Sequence, residues 1–388
     1  MNFWNILIYT DLIFFSFVSL TVLYMGFFAL MSMMGTSRES PKTRKENRFI
    51  IFIPGYKNGI ATERTVKSIL GQTYSQRQFD VTVIADQLDE MSNFRLKQQP
   101  ITLLTPNFKK SSRAKALQLA INNLPQLKIY DIALVLNPGC VVEPDFLTQL
   151  NEAYESAGTK AVQAHCVSQN HDTPTAHLSS IFEEINNSIF RRGHIAIGLS
   201  SSTSSSGLAL DFNWFKRNIL DTKTTWDDKE LEIRLARQHV YVDYFDQIMV
   251  FEEKTRLAED FNRQRINWVR SQFSSIVRNI RYLPGAILSR QYNLVDKVLQ
   301  WCLIPRIILM GIIVAMSIIL PFIYFTLALK WWALFAIVIF IFALATPNYL
   351  VDEKWDRTFF LIPVIVLSTV FAKTPFGKYL KKFANKKL

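Results

Sequence analysis

The chain has 388 residues, 49% of them hydrophobic, and carries 44 Lys and Arg against 32 Asp and Glu, a formal net charge of +12. That hydrophobicity, with 30 Phe and 8 Trp, excludes a disordered chain, which would be poor in apolar and aromatic residues. The scattered Cys140, Cys166 and Cys302 exclude a disulfide framework, and a basic excess on so apolar a chain points to a membrane protein with a polar domain attached.

In chain order, the first element is the run from Leu12 to Ser37, in which no residue is charged. It exceeds the roughly 20 residues needed to span a bilayer. With no basic leader region and no small-residue cleavage site, it reads as a retained anchor, with Asp11 near its outer end at the headgroup level. Arg38 to Arg48 follows, with five basic and two acidic residues. Positive charge beside a span places the next domain in the cytoplasm.

From Phe49 to about Val250 the pattern becomes that of an α/β domain. Short β-rich apolar runs at Phe49–Pro54, Phe79–Asp86, Ile132–Asn137 and Ala161–His165 alternate with helical stretches. Thr62–Gly71 and Ser112–Asn123 are the clearest helices, with apolar residues three and four apart. This alternation predicts a mostly parallel sheet with helices on both faces. In such sheets a ligand lies beyond the carboxyl ends of the strands, at residues 54–59, 86–90 and 137–142. Ser200 to Ser206 is the one low-complexity patch; without a following Lys or Gly-x-Gly it does not support a phosphate-binding loop and reads as a flexible polar loop.

Toward the C-terminus, Arg263 to Arg290 has six Arg and no acid. Ile307–Leu329 and Trp331–Val351 are two further uncharged runs of spanning length. Thr358–Ala372 is shorter: a tilted span, a re-entrant piece or an interfacial helix. Lys373–Leu388 has six Lys and no acid, arguing for a cytoplasmic C-terminus, which an odd number of C-terminal spans contradicts. The three basic blocks carry +15 and leave the remainder at −3. Each flanks an apolar run, so their charge concerns topology, and nucleic acid is not an expected partner. The expected organisation is an anchor (1–37), a cytoplasmic α/β domain (38–262), interfacial helices (263–300), C-terminal spans (301–372) and a basic tail (373–388).

Three clusters carry chemistry, each with a bland reading beside it. Asp86 ends a strand, with Asp89 and Glu90 behind it, and would either bind a base or ribose or cap the next element. Asp227 and Asp228 open a helix. They would cap it, where the dipole favours negative charge, or supply a general base within reach of a substrate hydroxyl. Phe261 to Gln272 interleaves an aromatic ring with amides and guanidinium groups. These would bind a sugar and pyrophosphate, or form a basic helix on anionic lipid with Trp268 as anchor. The five His show no pair at metal-ligand spacing with a cysteine apart from the adjacent His165 and Cys166, which cannot make a site alone.

Taken in order, an N-terminal membrane helix, Ile53-Pro-Gly-Tyr56, Ile84-Ala-Asp86-Gln-Leu-Asp-Glu90, Val135-Leu-Asn137-Pro-Gly139 through Asp145, Ser206-Gly207, Trp226-Asp227-Asp228, Gln264-Arg265-Ile-Asn-Trp268 and then membrane helices resemble the membrane-integrated family 2 glycosyltransferases, the group of cellulose, chitin, hyaluronan and poly-N-acetylglucosamine synthases. The resemblance implies a GT-A, Rossmann-like cytoplasmic domain on one N-terminal and two to three C-terminal transmembrane helices in the inner membrane. It also implies a nucleotide-sugar donor (usually a UDP-sugar), a glycan or lipid-linked acceptor, a divalent metal (Mg²⁺ or Mn²⁺) and inversion at the anomeric carbon. By position, Asp228 is the implied base. Pro54, Tyr56, Asp86, Arg113, Asn137 and Gly139 are implied on the donor side. Gly207, Asp227, Gln264, Arg265 and Trp268 are implied near acceptor and diphosphate.

Several positions depart from the family pattern. Its Asp-x-Asp metal motif falls on Asn137, Pro138 and Gly139, so both carboxylates are missing and no metal ligand is assigned. Lys57 and Asn58 stand for an Asn-Glu pair, Arg113 for Lys, and Asn267 for an Arg. Three readings follow: a transferase in which Lys57, Arg113 and Arg265 supply charge in place of the metal; a catalytically impaired partner or scaffold of another synthase; or a membrane module unrelated to sugars. The first is preferred, because Asp86, Asp228, Gln264 and Trp268 all survive.

Overall fold

The structure, a computed structural model, describes residues 3–34, 40–125, 127–222 and 227–351. α1 (Phe3–Met34) is one apolar helix of 32 residues. The chain then alternates through β1 (Phe49–Tyr56), α2 (Gly59–Leu70), β2 (Phe79–Asp86), α3 (Glu90–Lys97), β3 (Thr102–Leu104), α4 (Arg113–Asn122) and β4 (Ile132–Val135). The side chains of Asn58, Asp89 and Ser112 accept from the N–H groups of Ala61, Ser92 and Lys115 at 3.1, 2.8 and 3.3 Å, each satisfying a donor that the first turn of a helix leaves free. Next come β5 (Val141–Val142), α5 (Phe146–Ala157), β6 (Ala161–Ser168), α6 (Pro174–Ile185), a π-helical turn (Asn186–Arg192), α7 (Gly193–Ala196), β7 (Leu208–Asp211), α8 (Phe212–Leu220), α9 (Asp227–Arg237) and β8 (Val242–Glu252).

The eight strands form one sheet in the order β3-β2-β1-β4-β7-β6-β8-β5. β1 runs parallel to β2 and β4, β2 to β3, and β6 to β8. β7 is antiparallel to both β4 and β6, and β5 to β8. The sheet is therefore mixed where a mostly parallel one was expected. The reason is the helical excursion through α6 and α7, which returns the chain to the sheet in the opposite direction along four residues too short to read as a strand. Phe49, Ile51 and Ile53 face one core with α2 and α5, while Ile50 and Phe52 face the other with α4 and α8, as the two-residue period of a strand requires. Both faces are buried, so the strand reads as continuously apolar.

α10 (Ala258–Asn279), α11 (Leu283–Leu288) and α12 (Tyr292–Cys302) lead into α13 (Arg306–Ile323) and α14 (Phe325–Ala345). Among the described residues three helices are long and apolar enough to cross a membrane, Trp4–Met34, Arg306–Ile323 and Phe325–Ala345. α14 starts at Phe325 instead of Trp331, after a break at extended Tyr324, and so contains Lys330. That ammonium pairs with Asp11 of α1, whose other oxygen accepts from Trp331 Nε1 at 2.9 Å. Asp11 is thus buried against protein. Thr358–Ala372 and the basic tail lie outside the described residues.

One core cluster joins α1, α13 and α14 to α6 and the π-helical turn through Leu178, Ile181, Phe182, Ile185 and Ile189. Gly193 makes the close approach: a Cβ there would stand 2.3 Å from the carbonyl oxygen of Phe28.

Candidate active site

The carboxyl ends of β1 and β2 carry two non-glycine residues in the left-handed region, Lys57 (φ 58°) and Gln87 (φ 58°). The Lys57 N–H donates to the carbonyl of Asp86 at 3.1 Å, locking the two turns together. Such backbone persists where surrounding structure over-determines it, commonly at functional sites. Tyr56 is half exposed beside them, with the Lys57 ammonium 5.1 Å from its ring centre; Pro54 sits one residue deeper in β1. Asp86 is 4% exposed, and its Oδ1 has no hydrogen-bond partner among the described residues. A buried carboxylate oxygen without a donor is costly and suits a ligand N–H or hydroxyl.

Asn137 leaves β4 toward the same rim. Its amide donates to Ser205 Oγ at 2.8 Å and to Glu252 Oε1 at 3.4 Å, and its N–H to Ser206 Oγ at 3.1 Å. Gly139 N–H donates to Thr65 Oγ1 at 2.9 Å. Arg113, at the start of α4, donates to the carbonyl of Ser205. At Gly207 (φ 69°) a Cβ would come within 2.9 Å of Val250 and 3.1 Å of Ala164, so only glycine brings the serine loop this close to β6 and β8.

Behind Asn137 lies an ionic chain absent from the sequence expectations. Lys254 Nζ stands 2.6 Å from Glu252 and 3.5 Å from Glu183, and Arg191 3.2 Å from Glu183. Burial alone would lower the Lys254 ammonium, but the two carboxylates outweigh it and raise it above its usual range. Burial would lift Glu183, yet Lys254 and Arg191 hold it down at about 2. Arg265 packs over the rings of Phe182 and Phe261 at 5.1 and 5.0 Å; its burial lowers it to about 10, with Glu183 opposing. Nothing in the sequence joins these residues except the acidic-basic run Glu252, Glu253, Lys254.

Helix α9 begins at Asp227, and Asp228 follows on its first turn. Lys229 and Lys297 flank Glu232 at 2.9 and 3.2 Å, and Thr203 N–H donates to the same carboxylate at 3.1 Å. Burial opposes ionisation of Glu232, but the two ammonium groups hold it at about 2. Trp268 of α10 lines a small cavity of about 100 Å³ with Lys229, Arg191, Arg306, Ser202 and Thr203. Gln264 lies exposed four residues earlier and does not line that cavity. Ser200 to Ser206, expected as a flexible loop, connects the two sides. Ser205 and Ser206 meet Arg113 and Asn137, while Ser202 and Thr203 line the Trp268 cavity.

The donor set at 137–139 does not fit a divalent cation. Asn137 offers an amide oxygen in place of a carboxylate, Gly139 has no side chain, and the carboxylate that accepts from Asn137, Glu252, is paired with Lys254, whereas Mg²⁺ and Mn²⁺ seek carboxylate oxygens. Among the described residues no group of three or more His, Cys, Asp or Glu is placed to hold a metal ion.

Comparison with known proteins follows from this geometry. A family model described as glycosyl transferase family group 2 matches residues 140–349. The fold is similar to that of the mannosyltransferase PcManGT from Pyrobaculum calidifontis, solved in complex with GDP-Man and Mn²⁺. The TM-score is 0.57 at 14% identity, over 90% of this chain and 99% of that one. Residues 1–349 of S. aureus TarS align with a TM-score of 0.44 at 10% identity, over 88% of this chain and 91% of that one. No curated protein matches the chain by sequence.

Proposed function

The chain belongs to glycosyl transferase family group 2, and from that premise we propose that it is a membrane-bound inverting transferase moving a sugar from a nucleotide sugar, usually UDP-linked, to a glycan or lipid-linked acceptor. The observation that carries this reading is the buried, unpartnered Oδ1 of Asp86 beside the two reversed residues at the strand ends. It is an acceptor suited to the base or ribose of a nucleotide. Pro54 and Tyr56, at the end of the neighbouring strand, are proposed to border the donor, with Arg113 and Asn137 beside its diphosphate.

In the proposed mechanism Asp228 takes the proton of the acceptor hydroxyl. The acceptor oxygen bonds to the anomeric carbon as the bond from that carbon to the diphosphate breaks on the opposite face. The electron pair leaves with the nucleoside diphosphate. Arg113 supplies positive field where charge develops, and no step is routed through a metal. The cavity at Trp268, bordered by Arg191 and Lys229, is proposed to receive the acceptor. Gly207 sets the serine loop that lines it; Asp227, Gln264 and Arg265 are proposed to serve the acceptor side of the site, Gln264 from outside the cavity walls. The domain from 38 to 262 is proposed to face the cytoplasm of the inner membrane, consistent with the basic residues after the first span.

The test is nucleotide release by the full chain in detergent against UDP- and GDP-sugars, with Mg²⁺, with Mn²⁺ and with chelator. Turnover that survives chelation supports the proposal. Nucleotide-sugar binding without turnover on any acceptor favours the alternative of an impaired partner of another synthase, for which the tied-down Asn137 is the supporting observation. Absence of both binding and turnover overturns the proposal.

A further inference from the structure

A second, larger cavity of about 680 Å³ opens between α9 and the C-terminal half of α10. That volume is typical of small-ligand sites. It shares Lys229 with the Trp268 cavity and otherwise has different walls. Its lining is strongly cationic: Lys229, Arg234, Arg237, Arg278 and Arg281 against the single carboxylate of Glu230. Two of these charges are already balanced, Lys229 by Glu232 and Arg234 by Glu230 at 2.7 Å. Arg237, Arg278 and Arg281 have no carboxylate within ion-pair distance among the described residues.

The three remaining guanidinium groups are nevertheless gathered. Arg237 lies 4.1 Å and Arg281 4.9 Å from the ring centre of Tyr282. Arg281 also donates to the Tyr282 hydroxyl at 2.9 Å. Arg278 stands one helical turn before. Like charges drawn to one ring repel each other, and the arrangement gains most from an anion between them. Guanidinium forks match phosphate oxygens in pairs. Val277 in the cavity wall is 74% exposed, and Ile280, between the lining residues Asn279 and Arg281, is 47% exposed, an apolar edge of the kind that rests on a bilayer surface.

We propose that this cavity binds a phosphate-bearing anion, supplied by a lipid headgroup or by a free phosphate compound, at a site separate from the candidate active site. The bound anion bridges α10 to α9, the helix that opens with Asp227 and Asp228.

Two arms of one experiment test this on the full chain. Inorganic pyrophosphate is titrated calorimetrically into the detergent-solubilised protein. In parallel, phosphatidylglycerol or phosphatidylcholine is offered in nanodiscs and bound lipid is counted by native mass spectrometry. The combined variant Arg237→Gln, Arg278→Gln, Arg281→Gln is expected to lose at least tenfold affinity in one arm or both. Loss in the pyrophosphate arm alone identifies a soluble source, and loss in the phosphatidylglycerol arm alone a headgroup. Pyrophosphate held at the candidate active site is distinguished by its sensitivity to Arg113→Gln and indifference to the triple variant. If the Gln variant does not fold, the Lys triple variant keeps the charge and removes the fork, and a several-fold loss is expected of it. Failure of both probes to bind, or equal binding by wild type and variant, overturns the site while leaving the nucleotide-sugar reading untouched.

Discussion

Asp228, the proposed base, is the side chain at which chemistry and binding should separate. Its replacement by Asn keeps the shape and removes the base, so turnover should fall about 10²–10⁴-fold while nucleotide-sugar affinity holds; release kinetics and equilibrium binding measure the two. An unchanged rate would remove Asp228 from the mechanism. Lys254→Met should cost stability instead, because it strands Glu252 and leaves Glu183 with Arg191 alone. Breaking a buried pair on one side typically costs about 3–5 kcal/mol, readable as a lower melting temperature. The pH dependence has a definite sign. Glu183 and Glu232 are held at about 2, below the ordinary glutamate value of about 4.3. Their contribution is therefore complete above that ordinary value and disappears as the pH falls toward 2. The melting temperature should be level above about pH 5.5 and decline below it, less steeply in Glu183→Gln, which removes one of the two contributions. Asp86 and Asp228 were readable because each sits at an element end visible in the sequence. Lys254, Glu183 and Arg191 were not, since each is an ordinary charged residue until the fold brings together α6, the π-helical turn and the end of β8.

Among the elements, the contact of α1 with α7 depends on a missing side chain. Gly193→Ala would place a methyl group 2.3 Å from the Phe28 carbonyl. The expected cost is about 1–3 kcal/mol, measured by thermal unfolding in detergent; an unaltered melting temperature would mean that the two helices separate without loss. The π-helical turn places Asn187 and Arg191 four residues apart yet hydrogen-bonded to each other, and aims Arg191 at Glu183. Strands such as Phe79–Asp86 were legible because burial on both faces leaves an uninterrupted apolar run. β7 was not: four residues behind a serine run carry no period, and its antiparallel pairing comes from where the preceding helices leave the chain.

For the whole molecule, the α/β unit and the apolar helices are one packing problem. Leu178, Ile181, Phe182, Ile185 and Ile189 share a core with α1, α13 and α14. A chain cut to residues 40–256 should therefore expose that face and aggregate in the absence of detergent, as size-exclusion chromatography would reveal. A monodisperse soluble fragment would contradict the shared core. The spanning runs were evident from composition, but the start of the last one was misplaced. A lysine looked like a boundary because its partner, Asp11, lies at the other end of the chain.

That partnership also sets a schedule for biosynthesis. Trp331 follows Asp11 by 320 residues, and Lys330 comes just before it. At about 5–20 residues per second, the ribosome needs roughly 15–65 s to deliver them. During that interval α1 must hold the Asp11 carboxylate near its N-terminal end with neither protein partner in place. A carboxylate on so apolar a helix is costly when alone, so α1 is insecure until α14 arrives to clasp it.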